Sequence, residues 1–386
     1  MSTKVNPPGT TGRMELKGVT KQYGSGDDAA VDAIDLTIEP GQFMTLLGPS
    51  GSGKTTTLNM LAGFLQPTSG SILVNGRNFV TVPPNRRNFG MVFQDYALFP
   101  HMSVFDNIAF PLRQRKVPKS EIRRLVDDIV SRFSLEPLIN RKPDQLSGGQ
   151  QQRAALARAI VFSPEVLLLD EPLGALDRKL RQSLQIEVKR LHRELGLTFV
   201  FVTHDQDEAM FLSDRIAVFN RGRIERVGPP AELYDDPRTL FVAGFLGEAN
   251  IFAGRSIDAS TYEWNGERLR TSRTSQPTDA LLVVRPERVR LVSSVKEAGG
   301  SNSVAATVTD VARLGSTSRV DLRFGDGSVG VASLPAISVI DARPGDQIRA
   351  AWDVDAQAFV TREVDPGPSP TDSVSGDPEP VEAGVR

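Results

Sequence analysis

The chain has 386 residues, with 45 Lys and Arg against 47 Asp and Glu, a formal net charge of −2, and no cysteine. That length can bury two or more cores. The balanced charge excludes a global basic footprint for nucleic acid, and the missing thiols exclude disulfides, thiolate metal sites and cysteine nucleophiles, as suits a reducing cytosol.

Taken in order, residues 1–12 ("MSTKVNPPGTTG") are polar and rich in Pro and Gly, with no apolar core of a signal peptide, and read as a disordered lead-in. From 13 to 245, short apolar strands alternate with helical patterns, the rhythm of a parallel α/β sheet. Strands are expected at Phe43–Leu47, 166–169 and 198–202, the last two almost uninterrupted in apolar residues, as buried parallel strands are. Helices are expected at 55–65 and Arg178–Leu195. In the second, Leu180, Leu184, Val188, Leu191 and Leu195 recur at helical spacing and Gly196 closes the run. "RIAVFNRGRIERVG" reads as a hairpin. The longest apolar runs, such as "VLLL" and "TFVFV", are strand-sized, far short of the ~20 residues of a membrane span, so a soluble cytoplasmic chain is expected. From 246 to 365 the pattern changes to short β-like runs split by turns, a small barrel or sandwich. Residues 366–386, rich in Pro, Gly, Ser and acids, read as a disordered tail.

"GPSGSGKTT" at 48–56 matches G-x-x-x-x-G-K-[ST], directly after an apolar strand and directly before a helix, the context a P-loop requires. Gly48, Pro49, Ser50, Gly51, Ser52 and Gly53 would fold the backbone around phosphate oxygens. Lys54 would reach the β- and γ-phosphates, and Thr55, followed by Thr56, would offer its hydroxyl to Mg2+. "EVLLLDEP" supplies the other half. Its hydrophobic strand ends in Asp170, placed to hold the metal, and then Glu171, placed to orient or deprotonate an attacking water. A second anion site opens at "LSGGQQQR", where Ser147, Gly148, Gly149 and Gln150 stand at the mouth of a helix.

These motifs together resemble the ATP-binding cassette (ABC) ATPases, in which "LSGGQ" is the signature of one subunit capping the γ-phosphate held by the P-loop of another. The resemblance covers 13–245. It implies a P-loop NTPase fold with a helical subdomain at about 95–164, bound ATP and Mg2+, and a second copy of the chain as partner. Within it, Tyr23 in "VTKQYG" matches the aromatic residue that stacks on adenine. Gln94 in "MVFQDYALFPHMSV" matches the glutamine that touches Mg2+ and the attacking water. Asp177 in "LGALD" matches the loop crossing the dimer interface, with Gly174 where serine is commoner. His204 in "VTHDQDEA" matches the histidine at the γ-phosphate. His101, by contrast, is expected to pack or meet a transporter, and His192 to be solvated on the polar side of its helix.

The part of the chain from 246 to 365, with "VVRPERVRLV" and "GEANIFAGR", resembles the OB-like TOBE domain that follows the ATPase in importers of polyamines, ferric iron, maltose and related solutes. "RNFGMVFQDYALFPHMSVFDNIAFPL" and "YDDPRTLFVAGFLGEANIF" lean toward the spermidine/putrescine branch, with ferric-iron and other small-solute importers as the alternative. That likeness implies two permease subunits, an external solute-binding protein acting indirectly, no nucleic acid, and a peripheral place on the cytoplasmic face of the cell membrane. Non-transport ABC ATPases usually carry a long coiled coil or a second cassette, and neither is in this sequence. Intact Lys54, Asp170, Glu171 and His204 argue against a catalytically dead regulatory cassette.

Overall fold

The computed structural model describes residues 12–24, 29–174, 178–272, 280–336 and 342–362. The expected lead-in, apart from Gly12, and the expected tail lie outside the described residues. Two compact units divide the chain, Met1–Asp235 with Phe245–Gly247, and Asp236–Gly244 with Glu248–Arg386.

The first unit begins β1 (Met14–Gln22), β2 (Ala29–Ile38), β3 (Phe43–Leu47), α1 (Lys54–Ala62), β4 (Ser69–Val74), β5 (Arg77–Asn78) and β6 (Phe89–Val92). It continues α2 (Val104–Gln114), α3 (Lys119–Arg132), α4 (Gly148–Ile160), β7 (Val166–Asp170) and α5 (Arg178–Leu195). It ends with β8 (Thr198–Thr203), α6 (Gln206–Leu212), β9 (Arg215–Asn220), β10 (Arg223–Gly228) and α7 (Pro230–Asp235).

A six-stranded sheet runs β10-β9-β3-β8-β7-β6. It is parallel from β9 to β6, and the β9–β10 hairpin supplies its antiparallel edge. Successive side chains on a strand point to opposite faces, so the apolar runs feed two cores. Phe43, Leu167, Leu169, Phe199 and Phe201 face one core, shared with α2 to α5. Met44, Leu46, Leu168, Val200 and Val202 face the other, shared with α1 and the antiparallel sheet β2-β1-β4-β5. Burial on both faces is why β7 and β8 lack the polar alternation of a half-exposed strand.

Two expectations need correction. Helix α1 stops at Ala62 rather than at 65, because Gly63 turns left-handed (φ 84°) and its N–H bonds back to Asn59 and Met60. His192 is not solvated. It is half-buried, its Nε2 lies 2.9 Å from the Gly41 carbonyl oxygen, and its ring meets Phe43 and Phe199 edge-on. Burial pushes its pKa below the ordinary histidine value, so it serves as a neutral packing residue.

In the second unit, after α8 (Leu240–Phe245), come β11 (Asn250–Phe252), β12 (Arg255–Asp258), β13 (Thr261–Trp264), β14 (Glu267–Arg270), β15 (Leu281–Val284) and β16 (Arg290–Val292). They are followed by β17 (Asn302–Arg313), β18 (Thr317–Phe324), β19 (Val329–Pro335), β20 (Gln347–Trp352) and β21 (Gln357–Val360). They form sheets β11-β15-β21, β12-β13-β14 and β16-β20-β17-β18-β19, with every ladder antiparallel. In its core Phe252 stacks on Trp352, meets Trp264 edge-on and packs tilted against Phe324. The Tyr262 hydroxyl accepts from the Gly254 N–H at 2.7 Å and donates to the Phe252 carbonyl at 2.8 Å.

Candidate nucleotide site

Four neighbouring parallel strands, β3-β8-β7-β6, finish nearly level. Leu47 pairs with Thr203, Val202 with Asp170, and Leu169 with Val92. The loops leaving those ends carry the P-loop, His204, Glu171 and Gln94. Ligands of open α/β sheets bind at the carboxyl ends of strands.

Close approach of other backbone requires glycine at two P-loop positions. A Cβ on Gly48 would lie 2.3 Å from the Phe219 carbonyl oxygen. One on Gly53, which has φ 101°, would lie 2.5 Å from that of Ala30. Gly53 offers α1 no side-chain cap, and the first turn holds no acid. The first-turn N–H groups and the positive end of the helix dipole are therefore left for an anion. Lys54 is buried and donates to the Gly48 and Pro49 carbonyls, both at 2.8 Å, and to Ser52 Oγ at 3.4 Å. Its three donors thus meet three acceptors of its own loop. Burial lowers its pKa, and the charges of Glu171 and Asp170 oppose that.

Thr55 Oγ1 donates to Asp170 Oδ1 at 3.3 Å. Burial raises the Asp170 pKa, and the Thr55 bond acts against it. Glu171 follows with φ 40°, its N–H bonded to the Val202 carbonyl at 3.0 Å. Its carboxylate has a partner on each oxygen, since Gln94 Nε2 donates to Oε2 at 3.4 Å and His204 Nδ1 lies 3.2 Å from Oε1. Lys54, Thr55, Asp170, Glu171, Gln94 and His204 are thereby joined in one cluster.

Beyond Gln94 the chain makes a strained turn, with Tyr96 at φ 60° and Ala97 at φ 45°. Arg158 of α4 donates to both of their carbonyls, at 3.0 and 2.8 Å. The strap carrying Gln94 is therefore tied to the helix that begins at Gly148. Ser147 caps that helix. Its Oγ accepts from the Gln150 N–H at 3.4 Å while Gln150 Oε1 accepts from the Ser147 N–H at 3.0 Å. Gly149 is buried, and a Cβ there would lie 3.0 Å from Leu180. Among the described residues these four make no hydrogen bond with the P-loop. Tyr23 is 57% exposed just past the end of β1, with Lys21 Nζ 5.3 Å from its ring centre. His101 is exposed, its ring 6.2 Å from that of Phe99. Asp177 lies outside the described residues, although Gly174 before it donates to the Glu171 carbonyl at 3.3 Å.

The four residues Thr203, Asp205, Glu208 and Arg181 were not foreseen as part of this site. Thr203 Oγ1 accepts from the Asp205 N–H at 3.0 Å and donates to Glu208 Oε2 at 2.8 Å. Asp205 caps α6 by accepting from the Glu208 N–H at 3.0 Å. The Asp-x-x-Glu spacing within "VTHDQDEA" is the helix-start signal that points to Asp205 and Glu208, whereas no local signal points to Arg181.

Burial pushes the Glu208 carboxyl up to about 7, outweighing the Thr203 bond and the attraction of Arg181. The folded chain thus favours its neutral form, whereas in the unfolded chain it ionises near 4.5. Stability from this group is complete below that pH and declines as pH rises toward 7, by about 3 kcal/mol. Glu208→Gln keeps an acceptor for Thr203 and cannot ionise. Melting curves from pH 5 to 8 should show a shallower fall for the variant than for the native chain; parallel curves would remove Glu208 as the cause.

The ABC transporter family matches residues 31–174 and the TOBE domain family matches residues 282–360. The spermidine/putrescine import ATP-binding protein PotA of Thermobifida fusca is 50% identical over 322 residues, 81% of this chain and 84% of the relative. The chain belongs to the ABC transporter ATP-binding family. A PotA of Rubrobacter xylanophilus is 48% identical over 356 residues, covering 88% of this chain and 91% of its own. Among solved structures, the ABC cassette MJ0796, described as dimeric and bound to ADP and Pi, superposes with a TM-score of 0.51 at 35% identity, over 56% of this chain and 98% of its own. An ABC ATPase of this kind hydrolyses ATP.

Proposed function

We propose that this chain is the ATP-hydrolysing subunit of a polyamine importer, taking up spermidine and putrescine. The observation that carries the ATPase reading is the convergence of Lys54, Thr55, Asp170, Glu171, Gln94 and His204 at four adjacent strand ends. The printed names of its relatives support the solute. Residues 13–245 form the ATPase domain and 246–365 the TOBE domain in this reading.

The geometry supports the following roles. Lys54 leaves its loop carbonyls for the β- and γ-phosphates, which the uncapped start of α1 also attracts. Adenine would stack on the exposed ring of Tyr23. The Thr55 hydroxyl, the Asp170 carboxylate and the Gln94 amide form an all-oxygen donor set that suits Mg2+, which takes few protein ligands and keeps waters and phosphates. When bound, the ion would neutralise charge developing on the transferred phosphoryl group. Glu171 takes a proton from the attacking water, held in line by its bonds to Gln94 and His204.

Ser147, Gly148, Gly149 and Gln150 would close over the γ-phosphate of a second copy, making two ATP-filled sites per dimer, with Asp177 at the crossing. MJ0796, solved as a dimer, supports that assembly. No described helix is long and apolar enough to cross a membrane. The dimer would work from the cytoplasmic face on two permease subunits fed by an external solute-binding protein.

The test is uptake of labelled putrescine and spermidine in cells whose sole copy is the native chain or Glu171→Gln. Uptake should collapse with the variant. Unchanged polyamine uptake, with loss of iron or another solute instead, would overturn the substrate and leave the ATPase.

A further inference from the structure

His204 lies between two pinned residues. Thr203 before it and Asp205 after it are bonded to each other and to Glu208, so its backbone is held from both sides by the start of α6. Its side chain is 56% exposed, and the contact that aims its ring is Nδ1 with Glu171 at 3.2 Å. The start of α6 is held in turn from α5. Arg181 Nη1 donates to Asp205 Oδ2 at 3.2 Å, and its Nε lies 3.8 Å from Glu208 Oε1. Asp205 uses one oxygen to cap α6 and the other to receive Arg181, so a single carboxylate connects the two helices.

Helix α5 has a firm base for this. Leu180, the residue before Arg181, packs against Gly149, so closely that a Cβ there would meet it at 3.0 Å. Leu184, Val188 and Leu191 bury the rest of the helix in the core shared with α4. The first turn of α5 is therefore wedged between the signature helix on one side and the loop carrying His204 on the other.

We infer that Arg181 is a positioning residue for hydrolysis, fixing His204 against Glu171 through Asp205 and Glu208. It acts from a turn that also touches the signature. This rests on the ATPase reading above, since His204 matters only if it meets a γ-phosphate. A fully exposed surface ion pair contributes little to stability. Arg181 and Asp205 are only about 30% exposed and Glu208 is buried, so the cluster holds geometry rather than merely decorating the surface.

The experiment compares the native full-length chain with Arg181→Ala, Arg181→Lys and Asp205→Asn, the last of which keeps the α6 cap and removes the charge. Steady-state ATPase kcat and KM are measured with binding of a fluorescent ATP analogue and the melting temperature. A misplacement of about 1 Å at a reacting group can cost up to ~100-fold, so Arg181→Ala should lower kcat by roughly 10- to 100-fold. KM and analogue affinity should stay within about twofold, because no phosphate contact is lost. Arg181→Lys should recover much of the rate as a point charge. Asp205→Asn should resemble Arg181→Ala, and the double variant should be little worse than either.

Three results would overturn the inference. One is an unchanged kcat in Arg181→Ala and Asp205→Asn. Another is a loss in which kcat, affinity and melting temperature fall together and Lys does not rescue. The third is strict multiplication of the two single losses in the double variant. If Arg181→Ala fails to fold, Asp205→Asn alone decides between the first two. A native chain without ATPase activity would instead overturn the reading on which the inference rests.

Discussion

Glu171→Gln is expected to bind ATP as tightly as the native chain, to lose ATP hydrolysis by ~10²- to 10⁴-fold, and to accumulate as a closed dimer with Mg-ATP. The rate loss follows from removing a general base while keeping its size. Binding survives because Glu171 touches Gln94 and His204 and donates nothing to phosphate. The closed dimer follows from energetics. Shifting an equilibrium from mostly open to mostly closed takes about 5.5 kcal/mol of differential binding. A hydrogen bond to a charged group contributes roughly 1.5–3 kcal/mol, so one capped phosphate with a couple of such bonds is marginal and two have a margin. With hydrolysis stalled, nothing removes that margin. Light scattering under saturating Mg-ATP measures the dimer directly, and a monomer at every ATP concentration would overturn the two-chain site.

What was legible in the sequence is what depends on neighbours along the chain. The P-loop, the strand ending in Asp170 and Glu171, and the capped helix after Ser147 are each set within a dozen residues. Their backbone requirements show as glycines, an apolar run and a cap. The parallel order that brings Gln94, Glu171 and His204 together was legible only through the family resemblance. Periodicity says that strands are buried but not which lie side by side.

The first strand is not legible from its alternation. β1 alternates at Met14 and Leu16 and then shifts register before Val19, so its period of two is broken midway. For His192, helical spacing gives a face and not what that face meets. Its partner, the Gly41 carbonyl, is 151 residues away. The same limit hid Arg181. It lies among the charged residues of an amphipathic helix, and only the tertiary fold brings Asp205 and Glu208 to it.

Lys54→Ala should lose affinity for ATP by roughly 10- to 150-fold, the range spanned by one charge-assisted hydrogen bond of ~1.5–3 kcal/mol at 1.4 kcal/mol per tenfold. The loss follows because the ammonium no longer reaches the phosphates. A separate effect acts without nucleotide, because the Gly48 carbonyl's bond to Lys54 is buried and loses its donor. The variant should therefore melt slightly lower even in the absence of ATP. Lys54→Arg separates charge from shape. It keeps the cation but replaces a compact ammonium with a planar fork, in a pocket where the lysine side chain is almost wholly buried. Recovery of affinity in Lys54→Arg should accordingly be small. Titration calorimetry with ATP reads all three chains. Equal affinity in the native chain and Lys54→Ala would show that the loop at 48–56 does not hold the phosphates, and the roles given to Thr55 and Asp170 would go with it.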